Sequence, residues 1–328
     1  MKAGAVGKNA RAAIAVALAV GLAVAYLARR ADLPAGERPA LLVAAAALAL
    51  LFLPFFGLSF ETVIRRLRRA ADRRPGRALL LAAALAAPYL LYWAVPGRRN
   101  LSALLTMTAV AGVPCAIALA WPPGRRVGDL LVVLSIWLPL EFRWASLAFP
   151  WPEGGSGKVV GVVLGVDLLV YLMVVVRRVD GIGYSLVPRA RELAPAVAAF
   201  VAFAAVGIPI GLQTGFLEPA RSLPGPLEGL LRTFGIFLIT AVPEELLFRG
   251  LLQGFLERWT GRSGVALIVA SILFGVAHLN NGPAPDWRYA TLAALAGLAY
   301  GWVYQRTRRI APAAVTHALV DGTWSILF

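Results

Sequence analysis

Apolar runs long enough to cross a bilayer recur along nearly the whole of this chain. A membrane-spanning helix needs about 20 mostly apolar residues. About eleven runs approach that length, at residues 10–28, 39–57, 78–96, 101–121, 128–149, 158–176, 193–212, 227–256, 263–281, 287–304 and 310–328. The sequence therefore predicts an all-α fold, a polytopic transmembrane helix bundle. Pro243 lies inside the long run 227–256 and predicts a kink or a split there.

The composition also indicates that much of the chain is in contact with lipid. Of the 328 residues, 59% are hydrophobic and 15% are charged, whereas soluble domains carry about 25% charged residues. A soluble core of this length could not bury so much apolar surface. The one cysteine, Cys115, excludes an internal disulfide and a cysteine-based metal site.

Positive charge is placed between the apolar runs. The chain has 32 Lys and Arg against 17 Asp and Glu, a formal net charge of +15. In a soluble protein this excess would suggest nucleic acid, but clustering beside spans is the signature of membrane orientation. About 21 of the 32 basic residues fall on one side if the N-terminus is cytoplasmic. We therefore expect no nucleic-acid partner, a cytoplasmic N-terminus and, from the Arg- and Ala-rich usage, a prokaryotic cytoplasmic membrane.

The segment 60–77 has two interpretations. It reads FETVIRRLRRAADRRPGR, with Phe60, Val63, Ile64 and Leu67 at helical spacing. It could form an amphipathic helix on the anionic inner leaflet. It could equally be a basic loop that only sets the topology.

The most informative feature is the set of ionisable residues within the last hundred positions. An ionisable side chain at the centre of a spanning helix costs about 2.5–3.5 kcal/mol to insert. Six such side chains nevertheless lie in or beside apolar spans there, and they include both histidines of the chain: Glu244, Glu245, Arg249, His278, His317 and Asp321. An ordinary helix bundle needs no such collection.

The spacing within the first group separates the two glutamates. Glu245 and Arg249 are four residues apart and can pair on one helix face. Glu244 lies about 100° round the helix and can face a cavity. The pattern predicts one supporting and one working glutamate, although a structural role for both acids beside Arg249 stays open.

The two histidines carry a weaker signal when each is taken alone. His278 follows Phe274 by four residues and could be an ordinary core histidine. His317 and Asp321 share a helix face and could hold a metal, orient a water or polarise a carbonyl. The competing interpretation is a buried pair in which Asp321 only fixes the tautomer of His317.

Together the three motifs resemble one family. Glu244-Glu245-x-x-x-Arg249, Phe274-x-x-x-His278 and His317-x-x-x-Asp321 resemble the signature of the CAAX-protease and bacteriocin-processing (CPBP, Abi) family of intramembrane proteases. Asp321 departs from the Asn of the prenyl-protein processing members. The resemblance covers about a third of the chain and implies a protease core at 227–328. It leaves 1–226 as N-terminal transmembrane helices of unassigned role.

The resemblance also implies roles and partners. Glu244 would be the general base for a water, with His278 assisting, and His317 with Asp321 would stabilise the oxyanion. Glu245 and Arg249 would support them. The substrate would be a membrane-embedded or membrane-anchored peptide or protein.

The sequence does not decide whether a metal is used, and it allows two alternative functions. The family has been described both as metal-dependent and as metal-free. Glu244, His278 and His317 could supply a Zn²⁺ shell with one open position, but the chain lacks His-Glu-x-x-His, so we favour no metal. The alternative functions are a non-catalytic membrane peptide-binding or immunity protein, and a proton-coupled transporter. A transporter predicts polar residues in both halves of the chain and a paired repeat, and the sequence shows neither.

Overall fold

The computed structural model describes residues 14, 38–73, 75–95, 97, 99–142, 144, 157–279, 281 and 285–328. The candidate span 10–28 lies almost wholly outside these residues. The described residues are overwhelmingly helical and fall into two compact units, Met1–Val179 and Asp180–Phe328. The all-α prediction is confirmed for this part of the chain. The division of roles at residue 226 stays a prediction.

The described part of the first unit is built from helices of 13 to 20 residues and one short π-helical segment. Its elements are α1 (Arg38–Gly57), α2 (Glu61–Arg73), α3 (Pro75–Trp93), α4 (Leu101–Ala120), α5 (Arg126–Glu141), α6 (Gly157–Val170) and a π-helical continuation, π1 (Tyr171–Val176). The buried faces of these helices are rich in Ala, Val and Leu.

An arginine just after π1 joins three segments at one end of this unit. The Arg177 guanidinium is fully buried, and its Nε lies 2.5 Å from Asp129 Oδ1. Nη1 donates to Trp121 O at 2.8 Å and Nη2 donates to Pro122 O at 3.1 Å. The neighbouring Arg178 pairs with Asp72 near the end of α2. The end of π1, the α4–α5 turn and the end of α2 therefore meet at the same end of the unit.

Another ionisable group of the first unit, Asp167, has no such partners in the described part of the chain. Asp167 of α6 is completely buried. Neither of its carboxylate oxygens has a hydrogen-bond partner in the described part of the chain.

The second unit contains the ionisable cluster. Its elements are α7 (Ala190–Gln213), α8 (Pro226–Ile236), π2 (Phe237–Ala241), α9 (Val242–Glu245), π3 (Leu246–Gln253), α10 (Gly254–Thr260), α11 (Ser263–Ala277), α12 (Trp287–Thr307) and α13 (Ile310–Leu327). Residues 226–260 form one uninterrupted helical run.

This run is not split at Pro243, and π-helical turns accommodate the proline instead. A proline removes one helical N–H and crowds the preceding turn. Wider turns lie on both sides of it, π2 before and π3 after. Glu244 and Glu245 occupy the short α-helical stretch between the two wide turns. Single π turns in helices often occur at functional sites.

Polar contacts at the helix ends fix α13 against α7 and α10. Glu192 near the start of α7 accepts from Arg309 Nη1 at 2.6 Å, just before α13. Thr316 Oγ1 donates to Ala196 O of α7 at 3.1 Å. On the exposed side, Arg308 donates to both carboxylate oxygens of Glu257, and these bonds hold the pKa of Glu257 below its usual value. The start of α13, and so the height of His317, is fixed by these contacts.

Helices long and apolar enough to cross a membrane are present in both units. By length and composition they are Leu101–Ala120, Val159–Val176 and Ala190–Gln213. A fourth is gained if the bent pair Leu42–Gly57 and Glu61–Asp72 is counted as one span. The chain is thus a helical membrane protein, as the sequence predicts.

Candidate active site

A fully buried ion pair forms the base of the site. Glu245 and Arg249 lie one turn apart, and both side chains are completely buried. Glu245 Oε1 is 3.2 Å from Arg249 Nη1. The same oxygen lies 2.9 Å from His317 Nδ1 on α13. Because a carboxylate only accepts hydrogen bonds, the Nδ1–H of His317 is the donor. Glu245 thus connects its own helix to the helix that carries His317.

The guanidinium of Arg249 sits in an aromatic pocket. Its central carbon is 4.4 Å from the ring centroid of Phe274 and 5.2 Å from that of Tyr300. Its Nη2 donates to Gly297 O at 3.1 Å. A Cβ at position 297 would come within 3.1 Å of that nitrogen and 3.2 Å of Ser271 Cα. Glycine at 297 lets the arginine reach the α12 backbone.

Glu244 has a different environment from its neighbour. Its side chain is 31% exposed, whereas that of Glu245 is wholly buried. Its Oε2 is nevertheless buried and has no hydrogen-bond partner among the described groups. This oxygen lies 3.9 Å from His278 Nε2 and 3.8 Å from His317 Nε2, which is too far for direct hydrogen bonds. The carboxylate is therefore an unused acceptor that both imidazoles face.

The orientation of His278 follows from the end of α11. Its Nδ1 lies 2.7 Å from Phe274 O, and since a carbonyl can only accept, Nδ1 carries the proton. In the neutral ring Nε2 is then a free acceptor on the side of Glu244. Gly275 permits the close helix approach that this position requires. A Cβ there would lie 2.4 Å from Ala290 O of α12.

His317 is held on both edges and on one face. Besides the Glu245 contact at Nδ1, its Nε2 lies 3.3 Å from Asp321 Oδ2, one turn along α13. Tyr300 stacks on the ring, with centroids 4.5 Å apart and planes 12° apart. Only 2% of the His317 side chain is exposed. This imidazole has little freedom to turn.

The six side chains predicted from the sequence therefore converge in one cluster, with a cleft beside it. The cleft has a cavity volume of about 80 Å³, and His278, His317 and Asp321 form its polar wall. Most of its remaining lining is apolar, including a set of aromatic side chains: Phe200, Phe203, Phe216, Tyr289, Trp324 and Phe328. Such a cleft can receive an apolar group next to the polar cluster.

The cluster contains four side chains of the types that bind metals. Glu244, His278, His317 and Asp321 direct oxygen and nitrogen atoms toward one another at 3.3–3.9 Å. Among the residues that the structure describes, no group of three or more His, Cys, Asp or Glu has the geometry to hold a metal ion.

Several supporting residues lie outside the three motifs. Tyr300 stacks on His317, and Tyr289 meets His278 edge-on with ring centroids 5.1 Å apart. Gln253, one turn after Arg249, reaches Gly301 O at 3.4 Å, as Arg249 reaches Gly297 O. The repeat Gly297-x-x-x-Gly301 is a small-residue packing signal that sequence reasoning could have used. The tyrosines had no comparable signal.

We expect Glu245→Gln to lower stability strongly, because it leaves the buried Arg249 without a counter-charge. Loss of one member of a buried pair costs about 3–5 kcal/mol. Thermal unfolding of the purified protein in detergent measures the loss. The matched control is Glu257→Gln, whose partner Arg308 is 52% exposed and which should cost about 1 kcal/mol or less. Equal melting of the two variants would contradict a supporting role for Glu245.

Comparison with known proteins points to the same segment. A family model described as type II CAAX prenyl endopeptidase Rce1-like matches residues 226–323. The match begins with α8, ends within α13 and includes all six ionisable residues of the cluster. No curated protein and no solved structure matches the chain. The resemblance to the CPBP family is thus confirmed over this segment. The chain is a helical membrane protein whose residues 226–323 form a type II CAAX prenyl endopeptidase Rce1-like segment.

Proposed function

We propose that this chain is an intramembrane endopeptidase that hydrolyses a peptide bond with water activated by Glu244. One observation carries the proposal. The buried and unpartnered Glu244 Oε2 lies 3.8–3.9 Å from Nε2 of both His278 and His317, which come from two other helices. The match of 226–323 to an endopeptidase family supports the same reaction class.

The first step is attack by water. A general base must accept the proton of the nucleophile in the transition state. Glu244 Oε2 accepts one hydrogen of the water, and the lone pair of His278 Nε2 accepts the other. The water oxygen then bonds to the carbonyl carbon of the scissile peptide, and the proton moves to Glu244.

The second requirement is a donor for the oxyanion that forms on the carbonyl oxygen. Preorganised donors in a dry site stabilise such an intermediate strongly. His317 can fill this role when both ring nitrogens are protonated, since Glu245 holds Nδ1 and Nε2 lies at the edge of the cleft. Asp321, 3.3 Å from Nε2, positions the ring. An Asp at this position then acts through His317 and need not donate a hydrogen bond itself.

The last step is the collapse of the tetrahedral intermediate into products. The carbon–nitrogen bond breaks, and the proton held by Glu244 passes to the leaving amine nitrogen. The products are a free amine and a new C-terminal carboxylic acid, which becomes the carboxylate as the second proton of the water passes through His278 Nε2 to solvent. Glu244 returns to its starting carboxylate form.

The aromatic cleft beside the cluster indicates the kind of substrate. Its polar residues lie on one wall, while most of the remaining lining is apolar. We propose that a membrane-associated peptide places its scissile bond at the polar wall and an apolar group in the cleft. This resembles the CAAX-type reaction of the family.

The proposal also includes the membrane topology of the whole chain. We propose about eleven spans, a cytoplasmic N-terminus and residence in a prokaryotic cytoplasmic membrane. The positive-inside distribution supports the orientation. Residues 227–328 would form the protease core, and residues 1–226 would form N-terminal transmembrane helices of unassigned role.

Glu244→Gln is expected to lower the cleavage rate at least about 100-fold, because the amide cannot accept the proton of the water. Cleavage of a reporter peptide by purified protein in lipid vesicles measures the effect. The melting temperature should stay near that of the wild type, since Glu244 Oε2 has no hydrogen-bond partner to lose. Glu228→Gln, at an exposed pair on α8, is the matched control. A wild-type rate in the Glu244→Gln variant would overturn the proposal.

Two substitutions of Asp321 test whether this residue only positions His317 or whether its carboxylate charge is required. Asparagine keeps an oxygen that can accept from His317 Nε2, whereas alanine removes it. We expect kcat to stay within about tenfold for Asp321→Asn and to fall about 100-fold or more for Asp321→Ala. KM should change little in both variants, because the ring acts on the transition state. A fall in kcat of the same size for both substitutions would show that the carboxylate itself is required.

We propose that the reaction proceeds without a metal, and zinc held by Glu244, His278 and His317 is the alternative. Purified protein is expected to keep its activity after exhaustive chelation and to contain well under one equivalent of zinc. Elemental analysis and a cleavage assay measure the two quantities. One equivalent of zinc that disappears in His278→Ala, together with loss of activity on chelation, would contradict metal-free chemistry.

A further inference from the structure

The first unit contains a basic helix, α2, that lies nearly at right angles to the preceding helix, α1. α2 follows α1 after a short break, and Leu42–Gly57 and Glu61–Asp72 meet at 96°. The 20 residues of α1 span about 30 Å, enough for the hydrocarbon core. If α1 crosses the bilayer, a helix at right angles to it runs along the membrane plane.

The two sides of α2 differ in character, as an interfacial helix requires. Val63, Ile64 and Leu67 lie on one side and are half-buried. Arg66 and Arg69 lie on the other side, about 60° apart around the axis, and both are exposed. The helix therefore presents an apolar face toward the interior of its unit and a cationic face outward.

Four other charged groups of α2, namely Glu61, Arg65, Arg68 and Asp72, are already used within the unit. Arg65 pairs with Glu61, and Arg178 pairs with Asp72. Arg68 donates to Val174 O through Nε at 3.0 Å and Nη2 at 2.7 Å. In the described part of the chain, no carboxylate pairs with Arg66 or Arg69. The two acids of the helix therefore do not neutralise its outward face.

Further features at the same end of the unit fit a membrane interface. The Arg177 and Arg178 contacts bring the end of α2 and the α4–α5 turn to one end. That turn carries exposed Arg125 and exposed Trp121. Tryptophan and arginine are enriched at the boundary between hydrocarbon and water. The charge and the aromatic ring fit a lipid headgroup layer better than open solvent.

We propose that α2 is an interfacial helix that binds anionic phospholipid headgroups through Arg66 and Arg69. The phosphate supplies the countercharge that the protein does not. The helix is thereby held at the membrane surface, at the end of the unit where α1 ends. Juxtamembrane arginines attract anionic lipid strongly near the surface and lose this attraction as salt rises.

Lipid titration of the purified full chain in neutral detergent, read by native mass spectrometry, tests the proposal. The probes are dihexanoylphosphatidylglycerol, dihexanoylphosphatidylcholine with the same acyl chains, and glycerol 3-phosphate as the headgroup alone. We expect the anionic lipid to bind most tightly. The Arg66→Gln/Arg69→Gln variant should lose at least about tenfold in affinity for it.

The matched control removes two exposed arginines elsewhere, Arg99→Gln/Arg221→Gln, and should bind the anionic lipid like the wild type. Wild-type affinity in the Arg66→Gln/Arg69→Gln variant would overturn the proposal and leave these arginines a role in topology only. Equal affinity for the neutral lipid, or for glycerol 3-phosphate, would also overturn it. If the double variant does not fold, the single variants carry the test, each with an expected loss of about threefold or more.

Discussion

Arg249 is a fixed cation inside an apolar bundle, and the geometry of the site depends on how that charge is satisfied. Its only ion-pair partner in the described part of the chain is Glu245, and both side chains are fully buried. Breaking such a pair is costly because it leaves a buried charge alone. Glu245 also accepts from His317, so the interaction that neutralises Arg249 orients an imidazole on another helix. Glu244, one residue earlier, does not pair with Arg249 in the described part of the chain, and its Oε2 has no hydrogen-bond partner there.

The helices around the pair are shaped to let it form. Two π-helical turns surround the short segment with both glutamates, so the chain changes its helical phase there without ending the helix. Gly297 and Gly301 bring the α12 backbone within reach of Arg249 and Gln253. Phe274 and Tyr300 cover the guanidinium, and the same two rings pack against His278 and His317. One set of contacts thus serves both the buried charge and the two imidazoles.

Sequence reasoning reached the helical class, the pairing of Glu245 with Arg249 and the separate environment of Glu244, because these follow from hydropathy and helical spacing. It did not reach the uninterrupted run through Pro243, since replacement of α turns by π turns depends on packing rather than local propensity. Tyr289 and Tyr300 were missed because an aromatic residue in an apolar span resembles any core residue. The interaction of His317 with Glu245 joins residues 72 positions apart, and spacing along one helix cannot reveal it.

The central claim is that Glu244 Oε2 is the acceptor for the attacking water, while Glu245 is committed to Arg249 and His317. An experimental map at a resolution that shows ordered water tests this most directly. The account predicts a water oxygen at about 2.6–3.2 Å from Glu244 Oε2, within reach of His278 Nε2, and Glu245 in contact with Arg249 and His317. Glu244 turned into a pair with Arg249, with Glu245 facing the water instead, would contradict it.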